Sequence, residues 1–165
     1  MYSGIMVDTD NFAQKAGVRT FEAAAFLRRN GADVTRVRKL FREDANDYKA
    51  RADAVSQAEI YMDAYAISIC DAENCSSPTV VGAQAANELL NIKGVKASFV
   101  FTYYNNQVYI SARSIDELNV QIVMEKLGGG GHMSIAGAQL PDTTVMDAIG
   151  LLKDTLSEMI KEGEI

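Results

Sequence analysis

The sequence predicts a mixed α/β fold. A compact sheet with flanking helices is expected over residues 63–165, preceded by a helical linker over 33–62 and a shorter N-terminal piece over 1–32. Three observations predict it. Val108, Ile110 and Ala112 alternate with Tyr109, Ser111 and Arg113, the period-two pattern of a half-buried strand. Asn105-Asn106 separates that run from Ala97–Tyr104, which makes the two a hairpin. The stretch Thr79–Leu90 and the segment opened by Pro141-Asp142-Thr143 carry apolar residues at helical spacing on either side of it.

Taken in order, the chain starts with the apolar run Gly4-Ile5-Met6-Val7, which ends abruptly in Asp8-Thr9-Asp10-Asn11-Phe12. Thr20 is placed to cap a helix from Phe21 to Arg29, stopped by Asn30-Gly31. A second helical stretch runs from Val34 and continues past a bend near Asp44, through Tyr48, Ala52 and Val55 to Ile60. It has few strong core positions and reads as a connecting arm. Tyr65–Cys70 is a strand candidate. Asp71–Ser77 is a polar loop, and Pro78 suits a first helical turn capped by Ser76 or Ser77. The helix that follows shows Val80, Ala83, Ala86 and Leu90 on one side and stops by Gly94. After the hairpin come a helix from Val120 to Leu127, the run Gly128-Gly129-Gly130-Gly131-His132 and a short strand near Ile135–Leu140. The last helix places Met146, Ile149, Leu152, Leu156 and Ile160 at core spacing.

Composition bounds the chemistry. The chain has 165 residues, a net charge of −6, two cysteines and a single histidine. One histidine excludes a self-contained zinc centre built from two or three imidazoles, and any Ser-His-Asp triad would run through His132. Cys70 and Cys75 have no second pair to complete a metal cage and read as free thiols of a reducing compartment. No apolar run is long enough to span a bilayer, and no secretory leader opens the chain. Charge is unevenly spread: residues 15–51 carry a net +5, and residues 52–165 a net −9. The basic third is either a solvated helical face or a lip over an anionic ligand. The acidic remainder disfavours long nucleic acid, which needs many cationic phosphate contacts.

The chemistry-bearing residues cluster late. Four consecutive glycines can be a helix stop with a flexible connection, or a backbone that approaches an anion with no Cβ in the way. His132 can be an ordinary imidazole or an added donor. Arg113 ends the alternating strand in Ser111-Ala112-Arg113-Ser114, where its fork of donors fits a phosphate. Asn119 stands at a helix start, where backbone donors are free. Three anion-favouring features within twenty residues point to a phosphate or nucleotide pocket.

The run Ser111-Ala112-Arg113-Ser114, then Asn119-Val120, then Leu127 with the four glycines and His132, then Ala136-Gly137, resembles the DHH-associated domain of the DHH phosphoesterase superfamily. Gly4-Ile5-Met6-Val7-Asp8-Thr9 with Phe12 resembles that superfamily's fourth metal motif. Arg19-Thr20-Phe21, Ala23-Ala24, Leu27 and Gly31-Ala32-Asp33 are similar to the end of the DHH domain in GdpP-type cyclic-di-AMP phosphodiesterases. So are Ala85-Ala86-Asn87-Glu88-Leu89-Leu90 and Ala97-Ser98-Phe99-Val100. Ile135 departs from the pattern, which usually has alanine there.

The resemblance implies a C-terminal fragment: the DHH-domain remnant over 1–32, the linker over 33–62, and a DHH-associated substrate-binding domain over 63–165. It implies that Ser111, Arg113, Asn119, Gly128, Gly129, Gly130, Gly131 and His132 grip cyclic-di-AMP or linear di-adenylate. The intact parent would be a Mn²⁺-dependent phosphodiesterase in which Asp8 is one metal ligand. No cofactor is expected on this chain alone, since its other ligands would lie in the missing N-terminal part of the DHH domain. A second copy of the chain is an optional partner; long nucleic acid and membrane contact are not expected. The implied location is cytoplasmic, with any anchor upstream. The alternatives are a nuclease of the same superfamily acting on short oligonucleotides or single-stranded DNA, and a non-catalytic nucleotide-binding module.

Overall fold

Helix boundaries in the first part of the chain follow their caps. The computed structural model describes residues 1–9, 11–13, 15–115 and 118–165, so Asp10 of the N-terminal acidic run lies outside the described residues. The chain forms two units, Met1–Glu43 and Asp44–Ile165. In the first, α1 spans Tyr2–Asp8, α2 Val18–Arg29 and α3 Val34–Leu40. The Thr9 hydroxyl donates to Ile5 O at 2.6 Å and accepts the Phe12 amide at 3.0 Å, which closes the turn after α1. The Phe12 ring stacks on Phe21 at 5.4 Å between centroids. α2 starts three residues earlier than its spacing predicts. Gly17 is its N-cap, and Thr20 lies in the first turn, where its hydroxyl accepts the Gly17 amide at 3.3 Å. Asp33 caps α3 by accepting the amides of Thr35 and Arg36.

The second unit holds, in chain order, α4 (Ala45–Ser56), β1 (Glu59–Tyr61), β2 (Tyr65–Ile69), α5 (Pro78–Leu89), β3 (Ala97–Tyr104), β4 (Gln107–Ser114), α6 (Val120–Lys126), β5 (Gly130–His132), β6 (Ile135–Pro141) and α7 (Val145–Glu162). The stretch expected as one helical arm is therefore α3, a break, α4 and a strand. Asp44 makes the break, because its carboxylate accepts the Asn46 amide at 2.8 Å and starts a new helix. Glu59–Tyr61 is a strand because it pairs antiparallel with Tyr65–Ile67.

The six strands form one mixed sheet in the order β1-β2-β3-β4-β6-β5. β2 and β3 are parallel, joined by the α5 crossover, and the other neighbours are antiparallel. Asn105 and Asn106 both take positive φ, 50° and 59°, as the tight turn between β3 and β4 requires. One face of the sheet packs Phe99, Phe101, Val108, Ile110, Ala112, Ala136 and Ala138 against α6 and α7. The other packs Ala66 and Val100 against α4 and α5.

Two helices are turned relative to their predicted faces. α5 buries Val81, Ala85, Ala86 and Leu89 and exposes Val80. α7 buries Ala148, Leu152, Leu156 and Met159, while Met146 and Ile160 are exposed. Among the described residues, no helix is long and apolar enough to cross a membrane.

Both cysteines are free, Cys70 buried and Cys75 half-buried. Burial, aided by Cys75 and Asp71, pushes the Cys70 thiol up to about 11. Burial and the Asp47 carboxylate push Cys75 up to about 11 as well. At pH 8 only about one molecule in a thousand carries the thiolate that attacks a disulfide reagent. Ellman's reagent is therefore expected to titrate both thiols slowly in the native protein and rapidly in denaturant. A fast native phase of one thiol would contradict this.

Candidate functional site: an open sheet face beside a glycine strand

Register decides which side chains share a face. Across β4, β6 and β5, Ser111 is opposite Gly137, which is opposite Gly130. The next row on the same face is Arg113, Ile135 and His132. The row between them, Ala112, Ala136 and Gly131, points the other way, with both alanines in the core beneath α6 and α7. α5 packs on β3 and β4, whereas α6 packs on β4, β5 and β6 from the opposite side. Within the described residues of the second unit, no helix is seated on the α5-side face of β6 and β5 as α6 is on the other.

A cleft of about 610 Å³ follows this open face, lined by Thr79, Tyr109, Ser111, Gly128 to Gly130, Gly137 and Gln139 among others. Thr79, Ala83 and Asn87 recur every four residues, so one edge of α5 runs beside the sheet face. The Arg113 Nε donates to Asn87 Oδ1 at 2.9 Å. Its Nη1 donates to Ala112 O at 2.8 Å and to Ala136 O at 3.5 Å. Burial pulls the guanidinium below its ordinary value, yet a guanidinium keeps its charge at neutral pH. The face therefore holds a fixed cation. It also holds the Ser111 hydroxyl and the exposed His132 ring, neither with a side-chain partner among the described residues.

The glycine run is more ordered than a loop. The Gly128 amide donates to Glu125 O and the Gly129 amide to Met124 O, which closes the end of α6. Gly128 takes φ +78°, the left-handed value such an ending favours. The next three residues, Gly130 to His132, are strand β5. A Cβ on Gly129 would overlap Gly137 O and lie 2.7 Å from Ala138 Cα; one on Gly131 would lie 2.5 Å from Ala136 Cα. Two of the four glycines are thus required by close backbone packing on β6. A Cβ at Gly130 meets nothing within 4 Å.

Asn119 is the N-cap of α6, and its Oδ1 accepts the Gln121 amide at 3.1 Å. The Val120 amide donates to Met133 O, which ties this helix start to the residue after His132. Two of the backbone donors expected to be free there, the Val120 and Gln121 amides, are thus engaged, and the Asn119 side-chain NH₂ has no acceptor among the described residues. Asp8 lies in the other unit, exposed at the end of α1, in a separate groove with Ile5, Arg19, Glu22 and Phe26. Among the described residues, no group of three or more His, Cys, Asp or Glu side chains could hold a metal ion.

The structure thus brings Ser111, Arg113, His132 and Gly130 to one face, with Gly128 and Gly129 lining the cleft along it, and sets Gly131 on the opposite face and Asn119 behind the sheet. Asn87 and Gly137 complete the face and were not among the predicted site residues. A helical asparagine on the solvent side gives no local signal, since only the sheet register brings it to Arg113.

Fold and site together define an α/β domain with a polar cleft on a sheet face whose next row carries Arg113 and His132. The chain belongs to the DHHA1 domain family, whose match covers residues 73–162. It is 46% identical to the cyclic-di-AMP phosphodiesterase PdeA of Listeria monocytogenes over 149 residues, 90% of this chain and 22% of that protein. It is 43% identical to the cyclic-di-AMP phosphodiesterase GdpP of Geobacillus thermodenitrificans over 165 residues, 99% of this chain and 25% of that protein. The chain therefore spans about a quarter of the length of these relatives. Its fold is similar to that of an exopolyphosphatase-related protein from Bacteroides fragilis, with a TM-score of 0.80 at 20% identity, covering 94% of this chain and 48% of that one.

Proposed function

We propose that this chain is the substrate-binding C-terminal portion of a phosphodiesterase that hydrolyses cyclic-di-AMP to a linear dinucleotide. The observation that carries the reading is the shared open face, where Arg113, His132 and Ser111 stand in adjacent cross-strand rows beside β5. The named activity of two relatives that align with nine-tenths or more of the chain supplies the substrate class. Arg113 Nη2 takes a phosphate oxygen, with the Ser111 hydroxyl and His132 as further contacts. Gly128, Gly129 and Gly130 leave the sheet face low enough for a nucleotide to lie on it. Asn119, at the start of α6 on the opposite side of the sheet, holds that helix start and stays out of contact with a ligand on the open face. Fixing the phosphate here lowers the entropic cost of bringing the scissile bond to a reacting group.

The residues described do not fit a two-metal centre by themselves. Asp8 would supply one carboxylate to a Mn²⁺ site completed outside these residues, and one carboxylate does not hold such a pair. The part played by this chain is binding and orientation.

Calorimetric titration with cyclic-di-AMP, linear di-adenylate and a longer single-stranded oligonucleotide tests the reading. Saturable one-to-one binding of a dinucleotide, with no hydrolysis in Mn²⁺, is expected. Binding of the oligonucleotide alone would favour a nuclease. Hydrolysis by this chain with Mn²⁺ would overturn its role as a binding portion.

A further inference from the structure

Arg113 is less free than its place at a strand end suggests. A guanidinium has five N–H donors. One, on Nε, is engaged by Asn87 Oδ1 at 2.9 Å; the two on Nη1 are directed to Ala112 O and Ala136 O. No described residue accepts from Nη2. The two carbonyls belong to β4 and β6 and are fixed by the sheet. Among the described residues, Asn87 is the one partner from another layer, on the exposed edge of α5, whose opposite side is anchored by Ala85, Ala86 and Leu89. With Nε engaged, the side-on fork of Nε and Nη2, the usual bidentate grip on an oxyanion, is closed. Among the described residues, only the two donors of Nη2 are without an acceptor.

We propose that Asn87 is the positioning residue for Arg113, holding Nε so that a phosphate oxygen is met through Nη2 alone. The proposal rests on the reading of Arg113 as a ligand contact. Asn87 acts through the guanidinium, so its effect depends on Arg113 being present. Without it the guanidinium gains rotamers that binding must again restrict.

Two measurements on the full chain test this. The first needs no ligand: the Arg113 Nε–H signal in a ¹H–¹⁵N NMR spectrum is expected to exchange slowly with water in wild type and in Asn87→Asp, and much faster in Asn87→Ala. Equal exchange in wild type and Asn87→Ala would overturn the hold itself. The second is a double-mutant cycle with cyclic-di-AMP. Asn87→Ala is expected to weaken binding by about 3–10-fold and to add nothing in an Arg113→Ala background. Unchanged or tighter binding, or an equal loss in both backgrounds, would overturn the positioning role. If Arg113→Ala itself binds as tightly as wild type, the ligand-contact reading fails, and the exchange result still reports separately on the Asn87–Arg113 bond. Asn87 is exposed on a helix surface, where alanine is well tolerated.

Discussion

Gly129→Ala is expected to lower the stability of the second unit by about 3 kcal/mol or more, the upper range for forcing atoms into a close-packed site. The added Cβ would overlap Gly137 O and come within 2.7 Å of Ala138 Cα, both backbone atoms that cannot swing aside. Relief requires β5 to lift from β6, which also moves His132 away from its register partner Ile135. Gly131→Ala is expected to behave similarly, because its φ of +148° and its 2.5 Å approach to Ala136 Cα both oppose a side chain. Gly130→Ala meets open space, so its effect on stability stays within about 1 kcal/mol. Urea unfolding of the three variants checks the order. Equal losses at all three positions would mean that the run is a flexible connection, with no strand pairing to disturb.

Arg113→Ala is expected to weaken binding of cyclic-di-AMP or linear di-adenylate by about 10–100-fold, the range for losing hydrogen bonds from a charged donor. Calorimetry measures it directly. The variant also loses the contacts to Asn87, Ala112 and Ala136, so its melting temperature is read alongside. Arg113→Lys keeps a charge on a flexible stem but cannot reproduce the three anchored bonds. It should fall between wild type and alanine. An Arg113→Ala protein that is folded and binds with wild-type affinity would remove Arg113 from the site.

The alternation in β4 and the Asn105-Asn106 turn made the central hairpin legible from residues alone, because both are local signals. Helix positions were legible too, but not their rotation: α5 and α7 choose their buried stripe by what the sheet leaves room for. β1 and β5 were missed for opposite reasons. Glu59-Ile60-Tyr61 continues a helical pattern and becomes a strand only through pairing with β2. Gly130-Gly131-His132 has too few side chains to show a period and is a strand only because β6 lies beside it. The site was half legible. Ser111, Arg113 and His132 stand out by residue type, whereas their common face follows from a register across three strands. The glycines were read as room for a ligand; two of them, Gly129 and Gly131, are first of all room for β6.

The central claim is that the ligand lies on the open face of β4, β6 and β5. Amide chemical-shift mapping of the ¹⁵N-labelled chain with linear di-adenylate tests it most directly. The account predicts the largest saturable shifts at Ser111, Arg113, Gly130, His132, Ile135 and Gly137, with small changes at Leu152 and Leu156 behind the core. Shifts confined to the groove of the first unit around Ile5, Asp8 and Arg19, with none along β4, β5 and β6, would contradict it.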